Sequence, residues 1–163
     1  MHSQLKSSPH SWKLYTLTSY YWRFKGNAKE AIGKNEKAFK FNFNYLLFLE
    51  CARRAIYYAP RKFKDIPLLS LGTVFQRSNY INDSAIVLKA AVNHASIPEN
   101  LWSYGNSLMM LSQFNQSIES FHKVEKLDSA YSSKVEFIKK SINCFRDLKI
   151  TLITMENELD EIL

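Results

Sequence analysis

The chain has 163 residues, 46% of them hydrophobic and 14% aromatic, with only four glycines and four prolines. That supplies one apolar core but too few chain breakers for the many turns of an all-strand fold. A formal charge of +7 would admit a polyanion as partner, yet Lys and Arg are scattered with no run of five or six like charges, which argues against nucleic acid.

Cys51 and Cys144 stand far apart and neither belongs to a C-x-x-C pair, as expected of a reduced, cytoplasmic chain. His2, His10, His94 and His122 never recur at i, i+4 or beside a cysteine, so local spacing assembles no metal site and no cofactor is expected. Residues 1–11 are polar and are expected to be a disordered N-terminus. Nothing in the chain approaches the roughly 18 apolar residues of a membrane span, so it is expected to be soluble or to begin within a longer protein.

Taken in order, the first helical unit starts at Trp12. Counting Trp12 as position 1, Tyr15 stands at 4, Thr18 at 7, Ser19 at 8, Trp22 at 11, Gly26 at 15 and Ala31 at 20. The register then fails and returns at residues 51–60, the second half of a helix that ends in Pro60. If residues 33–49 are removed, Ala55 falls on position 27 and Pro60 on 32. From Asp65 the same spacing places Leu68 at 4, Leu71 at 7, Gly72 at 8, Phe75 at 11, Ser84 at 20, Leu88 at 24 and Ala91 at 27. From Pro98 it places Leu101 at 4, Tyr104 at 7, Gly105 at 8, Leu108 at 11, Phe114 at 17, Ser117 at 20, Phe121 at 24 and Val124 at 27. After Ser129, apolar residues recur in steps of 3 and 4 from Val135 to Ile162, which predicts one long amphipathic helix.

Large apolar groups broken by small ones at positions 8 and 20, repeated with Gly72 and Gly105 33 residues apart, resemble the tetratricopeptide repeat (TPR) family, whose period is about 34. The resemblance implies an all-α, right-handed αα-superhelix of about three helix-turn-helix repeats and a capping helix. Its units are 12–60 interrupted by an insert at 33–49, 65–96 and 98–129, followed by a cap at 130–150 and a helical tail at 151–163. Ser19, Trp22, Ala31, Ala55, Pro60, Gly72, Ser84, Ala91, Gly105, Ser117 and Phe121 would carry the packing between helices. Where the pattern usually has Pro at 32, Ser96 and Ser129 stand instead.

Such a solenoid is a protein-interaction scaffold with no enzyme activity. Positions 2, 5, 9, 12 and 13 of each first helix would line a concave groove that takes a protein or peptide. Here these are Lys13, Thr16, Tyr20, Arg23 and Phe24, then Ile66, Leu69, Thr73, Gln76 and Arg77, then Glu99, Trp102, Asn106, Met109 and Met110. An apolar peptide suits the exposed Trp and Met; the alternative is that Trp102, Met109 and Met110 pack on a neighbouring repeat or on the cap. Chaperone C-terminal peptides, which some members clamp with Lys, Asn and Arg, would meet Thr16, Tyr20, Thr73, Glu99 and Ser103 here, with no fork of cations. Tyr21-Trp22-Arg23, residues 55–60, residues 64–68, Ala91-Val92 and Ala95 further resemble members associated with actin-filament organisation and cilium assembly. That implies a cytoskeletal role. A second hypothesis is a basic adaptor for RNA or anionic membrane surfaces, acting through Lys13, Arg23, Lys25, Arg53, Arg54, Arg61, Lys62 and Lys64.

Two N-x-S triplets, at Asn82 and Asn115, match a glycosylation pattern. Their serines, Ser84 and Ser117, fall on the small buried position 20, so a packing role is expected. No nucleophile-and-base motif or phosphate loop is present, and Glu156, Glu158, Asp160 and Glu161 read as a solvated helix face. The insert 33–49 carries five aromatics and falls in the middle of a helix. Codons for Gly33-Lys34 and Leu49 can hold splice signals, and its removal keeps the frame and rejoins Ile32 to Glu50. It therefore reads as translated intron, the alternative being a genuine loop inserted between two halves of a helix; either way Phe39, Phe41, Phe43 and Phe48 are expected to be exposed and the first repeat disturbed.

Overall fold

The computed structural model describes residues 8–25 and 48–160. Gly26, Ala31, residues 33–47 of the insert, Ile162 and the side chains of Trp22, Arg23, Phe24 and Lys25 lie outside the described residues. Within them every regular element is helical. They are α1 (Trp12–Lys25), α2 (residues 48–58), α3 (Asp65–Arg77), α4 (Ile81–His94), α5 (Pro98–Met110), α6 (Phe114–Leu127) and α7 (Ser132–Asp160), with 3-10 turns at Arg61–Phe63 and Ser129–Tyr131.

Local chemistry sets the boundaries. Pro98 opens α5, where a missing N–H breaks no helical bond, and Asp65, Asp83 and Glu99 place negative charge in the first turns of α3, α4 and α5. α3 and α5 end alike. Asn79 has φ 64° and Ser112 has φ 59°. The N–H of Asn79 donates to Gln76 O at 3.2 Å and that of Tyr80 to Phe75 O at 2.9 Å, while Ser112 and Gln113 donate to Met109 O and Leu108 O, each at 2.9 Å. These paired bonds are Schellman caps, which favour glycine at the left-handed residue. A serine side chain there is strained, so Ser112→Gly should stabilise the protein by about 0.5–1 kcal/mol, checked by denaturant unfolding.

α3 pairs with α4 and α5 with α6, α4 lies against α5, and α1, α3 and α5 stand side by side as one wall. The crossings are close because small residues meet there. Ser84 Oγ donates to Gly72 O and Ser117 Oγ to Gly105 O, both at 2.8 Å. Each serine thus satisfies its hydroxyl inside a dry crossing, and its burial accounts for the serine in both N-x-S triplets. Leu88 and Phe121 lie over the two glycines. Ser107 extends this polar line between units. It bonds Ser84 Oγ at 2.8 Å and accepts from Gln76 Nε2 at 3.1 Å. Since the Ser84 hydrogen already points to Gly72 O, Ser107 is the donor to Ser84, and a fully paired buried line ties α3, α4 and α5 in one register.

The first unit is held by rings instead. Tyr15 of α1 stacks on Tyr58 of α2 at 6.1 Å and accepts a 3.1 Å hydrogen bond from Arg54, and Trp12 stacks on Phe63 at 5.6 Å. α2 therefore seats on α1 rather than being displaced from it. Phe48, expected to be exposed, is 2% exposed. It joins Ala52 and Val74 in a core that Leu49 and Leu71 flank. Burying a Phe is worth about 2–3 kcal/mol, which draws it inward onto α3.

α7 covers the last repeat with its first turns. Val135 and Ile142 are buried against Phe121, and Ile138 packs beside them. The covered part ends at Ile142, and every described residue from Asn143 onward is exposed.

Candidate partner-binding groove

The wall of α1, α3 and α5 carries the expected groove residues in several environments. Lys13, Ile66, Arg77 and Met110 are exposed, Ile66 at 37% and Met110 at 51%. Tyr20, Leu69, Thr73 and Asn106 are half-buried. Because the three helices occupy equivalent places in successive units, Lys13 and Ile66, both at position 2, mark one edge of the wall. Arg77 and Met110, both at position 13, mark the other. Tyr20, Thr73 and Asn106 share position 9, and the Thr73 hydroxyl, like that of Thr16, is taken up by its own helix, donating to Ser70 O at 2.9 Å.

Other expected groove residues are taken up by the fold. Thr16 is buried and its hydroxyl donates to Trp12 O at 3.0 Å. Gln76 is engaged with Ser107. Trp102 meets the Phe121 ring edge-on at 5.1 Å and Tyr131 at 5.4 Å, and with Met109 it packs into the core beneath α7. Glu99 is exposed and Ser103 half-buried. Of the packing set, Ser19, Ala55, Gly72, Ser84, Ala91, Gly105, Ser117 and Phe121 are buried and Pro60 is exposed. Ser107 and Asn100, which the apolar spacing does not mark out, are both fully buried. Asn100 Nδ2 donates to Ala95 O at 2.8 Å. A polar residue on an apolar stripe was the one signal available for either.

The basic flank is partly neutralised. Glu50 accepts from Arg53 Nε and Nη2, each at 2.9 Å, and from Arg54 Nε. These bonds, Arg53 first and Arg54 second, hold the Glu50 carboxyl well below the usual carboxylate range, at about 2. A depressed folded value adds stability above the ordinary 4.5 and loses it as pH falls toward 2; all three side chains are exposed enough for solvent to keep that contribution small. NMR titration should find the Glu50 midpoint about two pH units below that of an ordinary glutamate, and Arg53→Gln should raise it. Arg61 and Lys62 remain exposed without such a partner among the described ion pairs.

Among the described residues no cluster of His, Cys, Asp or Glu could hold a metal ion, and no helix is long and apolar enough to cross a membrane. No protein-family model matches the chain, and no solved structure matches it significantly. Over its whole length the chain is similar to tetratricopeptide repeat protein 17. It is 26% identical to the Mus musculus protein, 25% to that of Homo sapiens and 24% to that of Danio rerio. It spans 12–13% of the length of these curated relatives. Glycine-to-serine crossings and left-handed caps that recur at a spacing of 33 residues, together with this full-length similarity, make the chain a TPR-like all-α solenoid.

Proposed function

We propose that the α1, α3 and α5 wall binds an extended or helical peptide of a protein partner. The observation that carries this is the exposure of two apolar side chains, Ile66 near the start of α3 and Met110 at the end of α5, on helices whose Leu69 and Asn106 are half-buried. Apolar anchors at the two ends suit a segment laid across the wall, with Lys13 and Arg77 favouring an acidic flank. By resemblance, the process served is actin-filament organisation and cilium assembly in the cytoplasm or at the cytoskeleton. The engagement of Arg53 and Arg54 by Glu50 weighs against the RNA or membrane-surface adaptor.

Affinity capture at about 50 and 200 mM salt separates the two. Partner recovery should hardly change with salt and should be lost in the Ile66→Glu, Met110→Glu double variant. Recovery that falls steeply with salt, and is indifferent to those substitutions, would reject the groove.

A further inference from the structure

α7 is 29 residues long and only its first third is held. Beyond Ile142, Phe145, Leu148, Leu152, Met155 and Leu159 are each 53–60% exposed, although they form one stripe. Their steps of 3, 4, 3 and 4 are those of a heptad seam, with Phe145, Leu152 and Leu159 at a and Leu148 and Met155 at d. Most helical stability in a protein comes from packing of an amphipathic face, and among the described residues none packs on this stripe.

Charge along the helix selects the occupant. Arg146 and Lys149 flank Asp147 at the start of the exposed segment, a net charge of +1, and Glu156, Glu158 and Asp160 lie at its end. No basic residue stands in the last turn, where the helix dipole favours cations. A second helix of the same sequence, running the opposite way, brings its basic start to this acidic end. In that arrangement Leu152 layers with Met155 and Leu148 with Leu159 of the other copy, each an a residue against a d. Lys149 and Glu156 both occupy flanking e positions, and they meet across the seam twice by symmetry. A parallel pair would match Lys149 with Cys144 and Glu156 with Thr151, and would set the acidic ends side by side.

We propose that residues 143–160 join two copies of this chain through an antiparallel helix pair.

Sedimentation of the full chain should show a reversible dimer. Leu152→Glu with Met155→Glu should weaken association at least a hundredfold while the melting of the repeats stays unchanged, since both side chains are exposed in the single chain. Lys149→Glu and Glu156→Lys should each weaken it about tenfold, and the double exchange should restore it, which a merely apolar contact would not do. In a Cys144→Ser background, Leu148→Cys and Leu159→Cys chains should form a disulfide when mixed and none when each is alone. A chain that stays monomeric to about 100 µM overturns the proposal, because the corresponding association energy of about 5.5 kcal/mol is small for a specific dimer. A dimer indifferent to the Leu152 and Met155 substitutions, or Leu148→Cys chains that link to themselves, also overturns it.

Discussion

Replacing Gly72 or Gly105 by Leu lowers the unfolding free energy by about 1–3 kcal/mol or more, and Gly72 is the more sensitive position. A β-carbon at Gly72 would stand 2.5 Å from Leu88 Cγ and 2.6 Å from Cδ2, whereas one at Gly105 would stand 3.0 Å from the Phe121 ring. Leu88 and Phe121 are both without exposure and have no room to retreat. Leu favours helix over Gly by about 0.6–1 kcal/mol, so overpacking must exceed that gain for the sign to hold. Separation of the helices would also break the hydrogen bonds from Ser84 and Ser117 to the glycine carbonyls. Denaturant midpoints measure the loss. Equal stability of wild type and Gly72→Leu would mean that α3 and α4 do not cross at this residue.

Phe48→Ala is expected to cost more, about 3–5 kcal/mol for a buried phenyl ring. Phe145→Ala, with its ring 60% exposed, should stay within about 0.5 kcal/mol in the monomer. The contrast tests whether residue 48 belongs to the working core. It sits in the stretch 33–49 that reads as foreign to the repeat, yet it packs on Ala52 and Val74. A chain lacking 33–49 would put Ala31 in its place. Comparison of that deletion with Phe48→Ala would show how much of the loss comes from the ring and how much from the rest of the segment.

All-α repeats with a period of 33 residues were legible in the sequence. Apolar spacing repeats wherever the same face must be buried, and Gly72 with Ser84, like Gly105 with Ser117, are small because two helix backbones approach there. Those are contacts inside one unit, close in sequence, and one unit predicts the next. The burial of Phe48 was not legible, because residues 33–49 differ in composition from the repeat and Phe48 shares that composition while its partner Val74 lies on another helix. The left-handed caps at Asn79 and Ser112 were hidden because neither is glycine. Tertiary structure alone decided which side chains of the wall stay open. Gln76 turned to Ser107, and Trp102 and Met109 went under α7, while Ile66 and Met110 did not. A helix position that faces away from its own partner is filled by whatever the next element brings against it, and apolar spacing within a single helix carries no record of that neighbour.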